Sequence, residues 1–397
     1  MVTSPIRGKA AGVGLLGLLL ATSACGSSGS SKSTSATTAI AAASAAAGAQ
    51  SASASLSAVR QALAQYESIP AFTAPGPSID VAALKGRTIY SIPQTSEIPF
   101  LSTTENAEAG IAKKYGINFV EYPTQGTPND WIRGINQAVA THAGAIMLNA
   151  LDPRLVGPQL QQAKSDGIAV TSAQFFDLSQ VGSAPSSLSA VRADNFTEAA
   201  KLEADWTISD TGGHADVVVV ENQEQLSTVA MVDALKSEFA KYCPTCKVQY
   251  LNVPATDWAT KIQPDVQSAL AADPGINYVI PIYDPMSQFV IPAITAAGRT
   301  GSVHIATFNG TPFALKDLAD GNVIRMDIGE NLDWLASANM DETFRAMLGK
   351  PAVADEHTAL RVFTKANVGD TGNPPAYNLG FGSAYATGYQ RLWGGGA

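Results

Sequence analysis

An internal repeat constrains the fold of this chain more than any other feature of its sequence. Residues 117–139 (INFVEYPTQGTPNDWIRGINQAV) match residues 247–270 (KVQYLNVPATDWATKIQPDVQSAL). Three shorter matches keep the same order: Asp130-Trp131 with Asp257-Trp258, Leu151-Asp152-Pro153 with Tyr283-Asp284-Pro285, and residues 166–174 with residues 300–309. The repeat predicts two similar lobes, with a cleft between them that faces both sets of strand ends.

Strand and helix signals alternate through both copies. The opening unit, residues 86–116, has an apolar strand at 87–92, a polar turn at 94–100 and a helix at 101–115. Apolar strands separated by helices are typical of a parallel sheet covered on both faces, and such sheets bind ligands at the carboxyl ends of their strands. The sequence therefore predicts an α/β fold of two doubly wound lobes. Strands are predicted at 87–92, 118–122, 145–148, 168–172, 217–221, 248–253, 278–282, 303–308, 323–328 and 360–364.

The N-terminal segment indicates export. Two basic residues precede an apolar run at 10–21, which is too short to span a bilayer core of about 30 Å. Small residues then lead to Cys25, and the segment resembles a bacterial lipoprotein signal, although Thr22 stands where leucine is most common. We expect a signal peptide at 1–24 and lipidation at Cys25, which would hold the protein on the outer face of the cytoplasmic membrane; a plain signal peptide is the alternative. Residues 25–77 are predicted to be a flexible tether, because residues 26–54 are almost wholly Ser, Ala, Gly and Thr, with a short helix at 56–66.

Charge and cysteine content restrict the partners. The chain has 25 Lys and Arg residues against 34 Asp and Glu residues, with no basic cluster, which argues against nucleic acid. Cys243 and Cys246 have the CxxC spacing of a redox or metal site, but they follow a helix and precede a strand, and no second pair or nearby histidine completes a metal site. In an exported chain this spacing favours a small structural disulfide. Neither a metal nor a cofactor is expected.

Several ordered motifs together resemble one family. The chain is similar to the ribose-type periplasmic binding proteins, which are the type I solute receptors of sugar ABC importers, over residues 85–364. The motifs are Pro99-Phe100, the loop at 149–153, the DGIAV sequence at 166–170, Ala193-Asp194-Asn195, and the FNGTP sequence at 308–312. None is specific alone; their order and spacing carry the resemblance.

The resemblance implies a monomeric receptor that captures a sugar or similar polyol by hinge closure and delivers it to an ABC permease, without catalysis. It places lobe 1 at 84–192 and 329–357 and lobe 2 at 193–328 and 358–368, leaving 369–397 as a surface tail. Alternatives are a receptor for a sugar-derived signal or a nucleoside, or a sensor without a transport role. A regulator of the lactose-repressor type shares the core fold but needs a basic helix-turn-helix segment, which this chain lacks.

Candidate ligand contacts in lobe 1 follow the first and fourth strands. Phe100 matches the family position where an aromatic ring stacks on the sugar, and Glu97 lies on the same turn. Gln174 and Phe175 occupy the position of an Asp-Arg pair in ribose receptors, so an uncharged amide replaces an ion pair there. Helix packing by Phe100 and solvent-facing loop positions for Glu97 and Gln174 are the alternatives.

In lobe 2, Asn309 stands where ribose receptors carry an aspartate, and an amide there retains bidentate hydrogen bonding without charge. Tyr283 and Asp284 end a strand, although Asp284 before Pro285 could instead cap the next helix. Trp258 aligns with a pocket aromatic, whereas its repeat partner Trp131 is predicted mainly to pack below the cleft. Glu330 stands near the final glutamine of the family. The resulting pocket carries less charge than the ribose pattern.

Overall fold

The strands form two sheets, one in each lobe, in a computed structural model that describes residue 50 and residues 52–394. The sheet of lobe 1 is wholly parallel, with strand order β2-β1-β3-β4-β5; the sheet of lobe 2 has the order β11-β10-β9-β8-β6-β7 and is parallel except for the antiparallel pair β10 and β11. The predicted α/β fold of two doubly wound lobes is confirmed. The strands are β1 Thr88–Pro93, β2 Asn118–Glu121, β3 Ala145–Asn149, β4 Ala169–Ala173, β5 Ala190–Val191, β6 Asp216–Glu221, β7 Lys247–Asn252, β8 Tyr278–Pro281, β9 His304–Asn309, β10 Ile324–Glu330 and β11 Leu360–Thr364.

Helices cover both faces of each sheet, which explains the continuous apolar strands. The four valines of β6, for example, are fully buried. The helices are α1 at 52–64, α2 Pro99–Lys114, α3 Pro128–Ala140, α4 Gly157–Ser165, α5 Phe196–Asp210, α6 Leu226–Tyr242, α7 Gln263–Ala272, α8 Asp284–Ala296, α9 Pro312–Asp320, α10 Leu332–Met347 and α11 Ala384–Leu392.

The chain passes between the two sheets at three places within the repeat-built fold. It crosses after β5 at residues 192–195, after β10 at Glu330 and Asn331, and again between α10 and β11. Helix α10 packs against α2 and β4 of lobe 1, whereas β10 and β11 on either side of it belong to the sheet of lobe 2. These crossings bring the carboxyl ends of both sets of strands to one cleft.

The described part of the predicted tether, residues 52–77, packs against both lobes, and the short helix predicted at 56–66 overlaps helix α1 at 52–64. Helix α1 buries Val59 and Leu63 in the core of lobe 2, and the carbonyl of Tyr66 accepts the N–H of Val362 on β11 at 2.9 Å. Apolar side chains spaced along 56–66 stabilise this packing, so the segment loses the freedom that its composition suggests. The signal peptide, Cys25 and residues 25–49 lie outside the described residues.

The surface tail predicted at 369–397 is wrong over its described part. Helix α11 buries Tyr385, Tyr389 and Trp393 in the core of lobe 1. The N–H of Ile79 donates to the carbonyl of Leu392 at 2.8 Å, which joins the segment before β1 to the end of α11. The Gly- and Pro-rich composition before α11 concealed this helix.

Two further features of the described residues are a disulfide bond and the length and polarity of the helices. Cys243 and Cys246 are bonded to each other across the turn between α6 and β7, with their Cα atoms 5.3 Å apart. No helix within the described ranges is both long and apolar enough to cross a bilayer.

Candidate ligand-binding site

A cavity of about 290 Å³ lies where the strand ends of the two lobes face each other. This volume is near the lower limit of the range, roughly 300 to 1,000 Å³, found for small-molecule sites. Both lobes and the crossing segments contribute to its wall. Its main polar residues are Gln94, Glu97, Gln174, Asp194, Gln225, Ser227, Gln288, Asn309, Thr311 and Glu330, and its aromatic residues are Phe100, Phe196, Trp258, Tyr283, Phe313 and Tyr377.

Three residues of the wall have a backbone conformation that side chains other than glycine rarely adopt. Ala150 follows β3 with a φ of 55°, Gln174 follows β4 with a φ of 59°, and Asn309 ends β9 with a φ of 136°. Positive φ in such residues costs free energy and concentrates at functional sites, where the surrounding structure enforces it. All three line the cavity, so the unusual conformations mark the strand ends as a site.

Gln174 has an unsatisfied amide in the wall of the cavity. Its side chain is only 9% exposed, and neither Oε1 nor Nε2 has a hydrogen-bond partner among the described residues. A buried polar group without a partner costs roughly 1 to 3 kcal/mol. An amide offers two donors and an acceptor, so a ligand with neighbouring hydroxyl groups would satisfy it.

Buried carboxyl groups below the cavity hold the turn that presents Asn309. The N–H of Gly310 donates to Asp327 at 3.0 Å, and the backbone and hydroxyl of Thr311 both donate to Asp284. Gly310 has a φ of 66°, and an added Cβ would lie 2.6 Å from the Cα of Gly329. Only glycine permits this close approach, which fixes the Asn309 amide against the crossing segment.

The polar ends of two aromatic residues of lobe 2, Trp258 and Tyr283, have partners within the protein. The indole N–H of Trp258 donates to the carbonyl of Val253 at 3.0 Å. The hydroxyl of Tyr283 lies 3.3 Å from that of Ser227 and 3.1 Å from that of Thr228. With these polar groups occupied, the rings can pack on the C–H face of a sugar or polyol.

The interior of the cavity is close to electrically neutral. Asp194 forms a buried ion pair with Arg192, so the two charges compensate each other. Burial, with a smaller effect from the charge of Asp194, raises the pKa of Glu330 to about 8. Glu330 is therefore mainly protonated at pH 7, and its Oε2 lies 3.5 Å from Nδ2 of Asn309. The remaining carboxylate of the wall, Glu97, is exposed at the entrance.

The cavity brings together most of the predicted ligand contacts. Seven of them line it, on elements of both lobes: Glu97, Phe100, Gln174, Trp258, Tyr283, Asn309 and Glu330. Trp131 lies outside it, in the core of lobe 1, where its indole N–H donates to the carbonyl of Gln94 at 2.9 Å. Whether these residues contact a ligand stays a prediction.

Two predicted contacts lie elsewhere. Phe175 is 4% exposed and packs edge-on against Phe176, with ring centroids 5.0 Å apart, because the residue after Gln174 points to the opposite side of the chain. Asp284 is fully buried as the first residue of α8, where it holds Thr311 and makes no capping bond. Neither residue lines the cavity, so the structure does not bring these two together with the other predicted contacts.

Sequence reasoning missed several residues of the wall. Gln225 and Gln288 lie at or near the first turns of α6 and α8, where parallel strands lead into helices, so a search of helix starts could have found them. Phe313 directly follows the FNGTP motif in the first turn of α9, so the same search of helix starts could have found it. Tyr377 had none, since it lies in a Gly- and Pro-rich stretch without periodicity.

The fold and the cavity define a two-lobed binding protein of the type I periplasmic class. Within the described residues, no group of three or more His, Cys, Asp or Glu side chains is placed to hold a metal ion.

A sequence profile of the periplasmic binding protein domain matches residues 89–347. The chain belongs to this family. No curated protein sequence matches it.

Solved structures with similar folds include three sugar or polyol transport proteins. An ABC sugar transporter subunit from Rhodobacter sphaeroides is 17% identical with a TM-score of 0.63, and 72% of this chain covers 100% of it. A solute-binding protein from Agrobacterium vitis with bound allitol is 20% identical, with a TM-score of 0.62 and coverage of 72% and 97%. One from Bacillus halodurans with bound myo-inositol is 15% identical, with a TM-score of 0.64 and coverage of 73% and 99%.

Proposed function

We propose that this protein is an extracytoplasmic solute-binding protein that captures a neutral sugar or polyol between its lobes and delivers it to an ABC importer. The observation that carries the proposal is the near-neutral cavity lined by amide groups and aromatic rings from both lobes. Amides satisfy adjacent hydroxyl groups in pairs, and aromatic faces cover the apolar side of the molecule. No catalytic step is part of this function.

The charge distribution favours a neutral ligand over an anionic one. Within the described wall no lysine or arginine lines the cavity, and Arg192 behind it is already paired with Asp194. A carboxylate or phosphate ligand would lose its hydration without gaining a cation. The allitol and myo-inositol of the related structures are neutral polyols, which agrees with this selection.

Ligand contacts that exist only when both lobes touch the solute supply the free energy of hinge closure. Gln174 belongs to lobe 1 and Asn309 to lobe 2, so a ligand that bonds both amides favours the closed arrangement over an open one. The closed form would then dock on a membrane permease. We also propose that Cys25 carries a lipid anchor; replacing it with serine should release the protein from the membrane fraction.

Mass spectrometry of small molecules released by denaturing the purified protein tests the ligand class directly. A thermal-shift panel of sugars, polyols and nucleosides complements it, because a ligand that binds only the folded state raises stability by RT ln(1 + [L]/Kd). We expect a shift with at least one monosaccharide or cyclic or linear polyol. A shift with nucleosides alone, or with no member of the panel, would refute the sugar and polyol assignment.

A further inference from the structure

The C-terminal segment, defined here as residues 371–383, brings Tyr377 to the wall of the ligand cavity. This segment lies beyond the family match, which ends at residue 347. The solved structures described above are covered almost completely by 72–73% of this chain, so the chain has residues to spare outside the shared fold. Tyr377 is therefore supplied by a part of the chain that the family profile does not include.

One side of Tyr377 is fixed to the second crossing between the lobes. Asn378 has a φ of 72°, and its Oδ1 accepts the N–H groups of Leu332 at 2.7 Å and Asp333 at 3.2 Å. Its carbonyl accepts a bond from the side chain of Asn331 at 3.1 Å. Asn378 thus caps the free N–H groups at the start of α10, immediately after Glu330.

The rest of the segment is fixed to lobe 2. Phe381 is 2% exposed and packs edge-on against Phe363 of β11, with ring centroids 5.7 Å apart. Arg361 on the same strand donates to the carbonyl of Gly380 and bonds Asp370 at 2.6 Å. Before Tyr377, the N–H of Ala376 donates to the carbonyl of Thr371 at 2.9 Å. The backbone on both sides of Tyr377 is therefore held, so its side chain is a fixed part of the wall rather than a loose cover.

Tyr377 has a free hydroxyl group on a half-buried ring. No hydrogen bond within the described residues engages this hydroxyl, in contrast to that of Tyr283, which lies within hydrogen-bond distance of two neighbouring hydroxyls. Burial, followed by the charges of Asp284 and Asp327, raises the pKa of Tyr377 to about 12. The hydroxyl consequently stays protonated and able to donate at physiological pH.

We propose that Tyr377 is a ligand-contacting, specificity-determining residue: its ring limits the cavity to molecules the size of a monosaccharide or cyclic polyol, and its hydroxyl bonds a ligand hydroxyl. The inference rests on the proposed function, since it assigns a role within the same site. The selecting side chain lies beyond the residues that the family profile matches. Removal of the Tyr377 side chain would enlarge the cavity next to the second crossing.

Isothermal titration calorimetry of the full-length protein tests this proposal with defined probes: myo-inositol, allitol, D-allose, D-glucose, sucrose and maltose. Tyr377→Phe should weaken binding by about 3- to 10-fold for those probes that place a hydroxyl next to the Tyr377 hydroxyl, because only they lose a hydrogen bond. The other probes should keep their affinity. Tyr377→Ala should weaken binding of the six-carbon probes by about 10-fold or more, while the affinity for a disaccharide relative to a monosaccharide rises. Leu379→Ala is the matched control, since Leu379 is 47% exposed on the same segment.

The outcomes separate this inference from the proposed function. If the unaltered protein binds no probe, the sugar and polyol function fails and the role of Tyr377 fails with it. If it binds a probe and both Tyr377 variants keep its affinity and selectivity, only the present inference is overturned. An equal loss for every probe in Tyr377→Phe, with an unchanged melting temperature, would also refute a role in specificity.

Discussion

Thr311 donates hydrogen bonds from its backbone N–H and its hydroxyl to Oδ2 of Asp284, each at a distance of 2.7 Å. The carboxyl group lies at the start of α8, and Thr311 lies on the turn that follows β9. Two bonds to one buried oxygen fix the turn against the helix. Asn309, two residues before Thr311, therefore depends on a side chain that does not itself line the cavity.

Replacing Asp284 with alanine should weaken ligand binding although Asp284 makes no contact with the cavity. The variant leaves two buried donors of Thr311 unpaired, which should lower the free energy of unfolding by about 2 to 4 kcal/mol. Denaturant titration and calorimetric binding measure the two effects. Asp320→Ala is the control, because Asp320 forms an exposed pair with Lys316 and should cost about 1 kcal/mol or less. Equal effects of the two substitutions would contradict this positioning role.

The amide of Asn309 is expected to contribute roughly 1 to 3 kcal/mol to ligand binding, since its loss leaves ligand hydroxyls unpaired. Asn309→Gly is a sharper test than Asn309→Ala, because glycine tolerates the φ of 136° that would strain alanine. Calorimetric titration with the tightest-binding sugar or polyol should show the loss, while the melting temperature without ligand changes little. Unchanged affinity in Asn309→Gly would remove this residue from the site.

Gly310→Ala should destabilise the protein more than Gly298→Ala. Both glycines have a positive φ, 66° and 67° respectively, so both substitutions carry a similar backbone cost of roughly 1 to 3 kcal/mol. Only at Gly310 would the new Cβ lie 2.6 Å from another backbone atom, the Cα of Gly329, whereas at Gly298 it meets open space. Urea unfolding of both variants measures the difference. Equal destabilisation would show that the turn can move away from the crossing segment.

Stability without ligand should fall as the pH rises from about 4.5 to 8. Burial raises the pKa of Glu330 to about 8 and that of Glu105 to about 7, from an ordinary value of 4.5. The folded protein therefore keeps protons that the unfolded chain releases, so stability is highest below the ordinary value and is lost as the pH rises through the raised value. Melting temperatures from pH 5 to 8.5 measure this trend.

Glu330→Gln isolates the contribution of the cavity carboxyl to that trend. Glutamine retains the shape and hydrogen bonding of a protonated glutamate but does not titrate. The variant should thus gain stability relative to the unaltered protein as the pH rises from 5 to 8.5, by an amount on the order of several kcal/mol. Parallel curves for the two proteins would mean that Glu330 is ionised throughout this range.

The regular part of the fold was predictable because periodic patterns reflect burial on two faces. The ends of β4, which precedes Gln174, and of β9, which ends at Asn309, were predicted to within one residue, and the repeat indicated that both ends face one cleft. The two-residue strand β5 was too short to leave a pattern. Strand β11 was located, but its antiparallel direction depends on the chain crossing after α10, which local sequence does not encode.

The sequence did not predict side-chain direction where a shift of one position along the chain reverses it. Phe175 follows Gln174 directly, and the positive φ of Gln174 turns the amide into the cavity and the phenyl ring into a hydrophobic cluster. Asp284 adjoins Tyr283 in the same way, but it enters the helix and turns inward. Tyr377 was beyond prediction because its neighbours Asn378 and Phe381 are held by Asn331 and Phe363, which are distant in sequence.

The packed terminal segments bear on how fast a solute exchanges. The N-terminal chain passes from lobe 2 at Leu63 to lobe 1 at Ile79, and the C-terminal chain does so between Phe381 and Tyr385. Separating the lobes must therefore bend five connections instead of three, and the N-terminal connection packs on helix α11 through Phe72 and Tyr389, whose ring centroids are 5.2 Å apart. A stiffer clamp admits and releases its cargo less often, so the residence time of the solute can lengthen without any additional contact to it.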